Sequence, residues 1–185
     1  VPMEQDAELQ IITVDSEEGL EILRHSTSHL MACAVNRLYE DTLFGIGPAI
    51  EEGFYYDFDL PHTLSSEDLE GIEEEMSRIA NEALPFERVE MPREEARDLM
   101  AEAGQKYKVE LIEEIEDDVV SLYRTGDFVD LCRGPHIPST SDVRSFKLLS
   151  IAGAYWRGDV DNPQLQRIYG TAFAEQKQLE DHLHR

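Results

Sequence analysis

Apolar residues recur at three-, four- and seven-residue intervals through Leu20, Leu23, Leu30, Ala34 and Leu38, with Met31 and Val35 beside them. That spacing predicts one long amphipathic helix. Asp15 or Ser16 offers its cap, and Glu17 and Glu18 suit its first turn, so it runs from about Glu17 to Tyr39. Ahead of it, Leu9 to Val14 is a β-prone run behind an acidic leader. Glycine and proline punctuate Gly45 to Gly53, and then the period drops to two: Phe54, Tyr56 and Phe58 alternate with Tyr55, Asp57 and Asp59, as in a half-buried strand. Ser65 and Ser66 cap a second helix to about Ala83, with Leu69, Ile72, Met76 and Ile79 on its buried face. Phe86 to Met91 is a predicted strand, and Pro92 to Ala103 a helix opened by proline and stopped at Gly104. Tyr107 to Ile115 carries no decisive period. Val119 to Tyr123 and Phe128 to Cys132 form a predicted hairpin around Thr125 and Gly126. Phe146 to Trp156 is a further strand, and Leu165 to Leu183 reads mostly as helix. Helices mixed with hairpin-like strands predict an α+β fold with an antiparallel sheet packed against the long helix, rather than repeated βαβ units.

Charge narrows the function more than the fold. The chain has 185 residues, with 40 Asp and Glu against 16 Lys and Arg, a formal net charge of −24. A free-standing binder of nucleic acid or of an anionic membrane needs cations to displace counterions, so such a chain is a weak tRNA binder by itself. No apolar run approaches the ~20 residues of a spanning helix, and no secretory signal opens the chain, which predicts a soluble, cytoplasmic protein with no membrane partner. A first residue other than Met leads to the expectation of processing or of an excised piece. Two cysteines are too few for a disulfide framework, and Cys33, one turn beyond His29, is assigned to packing.

Two pairs of reactive side chains share one spacing: His25 and His29 in HSTSH, and Cys132 and His136 in CRGPH. On a helix the first pair projects from neighbouring turns; the second falls where a strand gives way to a loop tightened by Gly134 and Pro135. Three imidazoles and a thiol make either a tetrahedral zinc set or a polar pocket in which imidazoles steer a water. Lys108, one of four lysines, is either a surface residue or a cation at that pocket. Asp130, two residues before Cys132 on a strand, faces the same way, and can hold an ammonium group, orient a histidine, or simply be exposed. Tyr56 either presents its ring to a base or packs in the core. His62, His182 and His184 are assigned to surface roles.

The run RHSTSHLMACAVNRLYEDTLFGIGPAIEEGFYYDFDL, the segment DFVDLCRGPHIPST and the closing stretches AYWRGD and LQRIYGTAF resemble the editing domain of bacterial-type threonyl-tRNA synthetases, related to alanyl-tRNA editing domains. The resemblance covers nearly the whole chain. It implies a second-additional-domain fold over residues 17–185, with residues 1–16 the tail of a preceding ubiquitin-like domain or a linker; the ATP-using synthetic domain is absent. It also implies hydrolysis of serine from threonine tRNA, with His25, His29, Lys108, Cys132 and His136 catalytic and Tyr56 and Asp130 binding substrate. The partners it implies are the charged tRNA and the remaining synthetase domains. No metal is expected to be required, although the alanyl branch holds zinc with the residues equivalent to His25, His29, Cys132 and His136. The residues leave two rivals: a zinc-dependent hydrolase of another small ester or amide, and a non-catalytic acidic docking module.

Overall fold

The computed structural model describes Glu8 and residues 10–185. The long helix is α1 (Glu17–Leu38), entered through Ser16, whose side chain accepts from the Gly19 amide. Every residue from Ser26 to Val35 is buried, so its middle is covered all round, while Leu38 in the last turn is exposed. The β-prone run before it forms no strand: Ile11, Ile12 and Val14 are exposed, and Leu9 lies outside the described residues. Strand propensity without an edge to pair with yields no ladder.

The main sheet is antiparallel. Short strands β1 (Leu43–Phe44) and β2 (Ala49–Ile50) both pair with β3 (Gly53–Asp59), which pairs with β8 (Gln164–Phe173), which pairs with β7 (Ser145–Tyr155). β8 corrects the helix expected from Leu165 onward; only α5 (Gln176–Leu183) is helical. Leu165, Ile168 and Ala172 do sit at helical spacing, but Ile168, Gly170 and Ala172 also sit at period two, and two strand partners outweigh propensity. α1 lies across β3 and β8 on one side, and α2 (Ser66–Glu82) packs beside it through Leu69, Ile72, Met76 and Ile79.

A second sheet, β4 (Glu87–Pro92), β5 (Val119–Thr125) and β6 (Phe128–Leu131), carries α3 (Arg93–Glu102) and α4 (Lys106–Glu113) over a core of Ala96, Met100, Ile112, Val120 and Leu122. The stretch of indecisive period is thus a helix. α4 is docked to the first sheet by the Gln105 side chain, which bonds the Phe44 amide and the Thr42 carbonyl, and by Tyr107, which lies against Trp156 and bonds Asp59.

Two glycines make opposite demands. A Cβ on Gly53 would lie 2.1 Å from the Gly170 carbonyl oxygen, whereas one on Gly71, exposed in the middle of α2, meets nothing within 4 Å. Gly53→Ala is expected to lower unfolding free energy by about 1–3 kcal/mol and Gly71→Ala to raise it by about 0.5–1 kcal/mol, measured by urea titration.

Candidate active site

α1 presents His25 and His29, and the loop leaving β6 presents Cys132 and His136. One donor atom from each lies within 4.8 Å of all the others. His29 Nε2 is 3.0 Å from His25 Nε2, and Cys132 Sγ is 3.5 Å from His25 Nε2 and 3.3 Å from His136 Nε2. The His136 ring is sandwiched between those of Phe86 and His25. The loop reaches this position through Gly134: its φ is +76°, a Cβ there would meet the Tyr123 hydroxyl at 2.2 Å, and its amide donates to Cys132 Sγ.

Behind the cluster lies a buried charge. Asp130 on β6 is 1 % exposed; its Oδ1 is 2.6 Å from Lys108 Nζ, and its Oδ2 is 2.8 Å from His29 Nδ1. The Tyr56 hydroxyl donates to Asp130 Oδ2 and accepts from Lys108 Nζ. This network decides between the alternatives left open for three residues. Lys108 is not at the surface, because a buried ammonium is held only where a carboxylate meets it. Asp130 does not take a substrate ammonium directly, since both oxygens are engaged; it orients His29. The Tyr56 ring, wholly buried and stacked on Phe58, offers no face to a base.

The network sets the charges at the cleft. Burial opposes the Asp130 carboxylate, but Lys108 and His29 outweigh it and hold the group well below the usual carboxylate range. Burial likewise opposes the His29 imidazolium, yet Asp130 raises His29 to about 9. Cys132 falls to about 4, burial being overcome by hydrogen bonds from His136, His25 and His29. Burial is the larger cause at His136, lowered to about 4. Cys33 behaves as assigned: it is buried, with a thiol pushed up to about 11.

The cleft in front has a volume of about 250 Å³, walled by His25, His29, Cys132, Ile46, Gly47 and Pro48, with Lys108 at its floor. It continues past Cys132 and Arg133 into a groove of about 540 Å³. The GIGP loop is fixed there because Ser28 Oγ bonds the Gly47 carbonyl, and because Gly47 alone lets the backbone lie on Tyr56: a Cβ would fall 2.1 Å from that ring. Ser26 and Ser28 were missed from sequence, though three hydroxyl residues in a row inside an otherwise apolar buried helix were a signal. His62 pairs with Asp68, and His182 lies against Phe173; neither joins the cluster. By donor type and spacing, His25, His29, Cys132 and His136 fit a tetrahedral zinc.

Residues 120–169 match the family described as "Threonyl and Alanyl tRNA synthetase second additional domain". This stretch holds β5, β6 and the whole CRGPH segment. Over those residues the chain carries the signature of that domain. The whole chain is 58 % identical to a threonine–tRNA ligase of Nitratidesulfovibrio vulgaris (strain DP4) over 96 % of its own length and 28 % of the relative's. It is 56 % identical to the threonine–tRNA ligases of Clostridium tetani and Staphylococcus aureus (strain JH9), in each case over 98 % of this chain and 28 % of the relative. The chain thus spans just over a quarter of the curated relatives it matches. No helix among the described residues is long and apolar enough to cross a membrane.

Two measurements probe the site. In chelator at pH 6, iodoacetamide is expected to label Cys132 and spare Cys33, and His136→Ala to move the onset of Cys132 labelling to higher pH because a donor to the thiolate is lost; mass spectrometry across pH reads both. Lys108→Met leaves Asp130 short of its nearest counter-charge, and a loss of about 3–5 kcal/mol in unfolding free energy is expected, against less than about 0.5 for the exposed Arg78→Met.

Proposed function

We propose that the cleft hydrolyses the ester joining serine to threonine tRNA, the editing step of a threonine–tRNA ligase. One observation carries the reading: three imidazoles and a thiol converge at a cleft backed by the buried Asp130–Lys108 pair, in a chain whose relatives are threonine–tRNA ligases. The need is physical. Serine lacks only the methyl of threonine, and one methyl contact gives about 1–3 kcal/mol of discrimination, so a second pocket that accepts the smaller residue must remove the error.

In this reading a water oxygen bonds to the ester carbonyl carbon, the bond to the ribose oxygen breaks, and a proton ends on that oxygen. His29, kept as an imidazolium by Asp130, supplies positive charge where the carbonyl oxygen becomes negative. His25, at the rim and without a carboxylate partner among the described residues, takes the water's proton. Lys108 and Tyr56 act on the substrate through Asp130, by holding His29 in place. Cys132 and His136 shape the far wall. The methyl of threonine meets the face of α1 that carries His25 and His29. Zinc held by His25, His29 and Cys132, with its fourth position open, would acidify a water there; the imidazoles and the buried pair provide the chemistry without it. Residues 1–16 belong to the end of a preceding domain or a linker, and the grip on tRNA comes from the other synthetase domains, given the acidity of this one.

The test is deacylation of seryl- and threonyl-tRNA for threonine, side by side. The seryl form is expected to be cleaved faster by about 100-fold, and His25→Ala to lose activity by a similar factor with unchanged circular dichroism, since a misplacement of about 1 Å costs that much. Equal rates on the two tRNAs, or full activity in the variant, would overturn the editing reading; stoichiometric zinc with activity lost on chelation would favour the zinc-hydrolase reading.

A further inference from the structure

The three hydroxyl residues between His25 and His29 have different fates. Thr27 Oγ1 donates to the Leu23 carbonyl, and Ser28 Oγ donates to the carbonyls of His25 and Gly47. Ser26, wholly buried, bonds no carbonyl among the described residues. Its Oγ accepts from the Ile137 amide at 3.0 Å and lies 2.9 Å from His136 Nδ1.

The proton count at Ser26 admits one satisfied arrangement. The Ile137 amide can only donate, so Oγ accepts there. The hydroxyl hydrogen then has a single acceptor within reach among the described residues, the Nδ1 lone pair of His136. Were Nδ1 to carry a hydrogen and donate instead, the serine hydrogen would be buried with no partner, at the expense of one hydrogen bond. A neutral imidazole with its lone pair on Nδ1 carries its hydrogen on Nε2, the atom that faces Cys132 Sγ at 3.3 Å. His29 is turned the other way, with Nδ1 against Asp130 and Nε2 inward.

We propose that Ser26 is a positioning residue that fixes His136 as the Nε2–H tautomer, making His136 the hydrogen donor of the cleft and withholding its lone pair from a fourth-ligand role at a metal. A histidine that ligates through Nε2 ordinarily donates its Nδ1 hydrogen to an acceptor behind it. Behind His29 Nδ1 stands a carboxylate oxygen of Asp130 at 2.8 Å, a group that carries no hydrogen of its own. Ser26 is not such an acceptor for His136, because its own hydrogen would then be stranded. His25, His29 and Cys132 are therefore available to a metal, and His136 is held back. The donor role bears on the proposed ester cleavage, but the tautomer does not depend on it, and both readouts are taken without tRNA.

The first readout needs no variant: nitrogen-detected NMR of the histidine rings in the metal-free protein should show His136 protonated at Nε2 and bare at Nδ1, and a hydrogen on Nδ1 would overturn the proposal. The second is zinc titration by calorimetry of the wild-type chain and Ser26→Ala. Removing the hydroxyl removes the penalty for the other tautomer, so the variant is expected to bind zinc about tenfold more tightly, the factor for one net hydrogen bond of ~1.4 kcal/mol. A purely structural serine predicts the reverse, since a loosened site binds more weakly. Unchanged or weaker zinc binding in the variant would overturn the tautomer role, whatever the deacylation assays return.

Discussion

A carboxylate with almost no contact with water, Asp130, is the constraint on which the site depends. Taking such a charge out of water costs several kcal/mol, and the cost is met only if cations and donors surround it in good geometry. Here they come from three elements besides its own strand: Lys108 from α4, His29 from α1 and Tyr56 from β3. Each must arrive at its place or the carboxylate is stranded. One residue thereby fixes how the two sheets and the long helix stand to one another, and the same contacts settle the charge of the imidazole that faces the cleft.

Polar groups inside α1 serve the same end. A helix buried on all sides normally reads as continuous hydrophobe, yet this one places hydroxyls at three successive positions between its histidines. Two of them satisfy a loop rather than the sheet, Ser28 pinning the GIGP segment and Ser26 receiving the amide that follows His136, while Thr27 bonds back to the Leu23 carbonyl of the helix itself. Polar satisfaction in the core and preorganisation of the cleft are here one set of hydrogen bonds.

Much of this was legible in the chain. The period of α1, the alternation of β3, the capping residues of α2 and the hairpin β5–β6 rest on local rules, and the structure follows them. The HSTSH and CRGPH spacings marked the four donors, and strand alternation put Asp130 on the side of Cys132. What was not legible depends on partners distant in sequence. β8 carries both a helical and a strand period, and only its two neighbours decide between them. Lys108 sits in a stretch that suits a surface helix equally well; the acid that draws it inside lies on another element. Tyr56 stood open between a platform for a base and core packing because the chain does not reveal that Phe58 and Gly47 close over it.

The cleft is shared between halves of the molecule that are made at different times. Ser26 and His136, in direct contact, stand 110 residues apart in the chain, one on the helix that covers the first sheet and the other beyond the last strand of the second. Neither half alone contains more than two of the four donors. During synthesis the early histidines therefore wait, unable to act, until the later sheet has emerged and docked. Assembly of the four-donor cluster is in this sense a sign that both sheets have formed and docked.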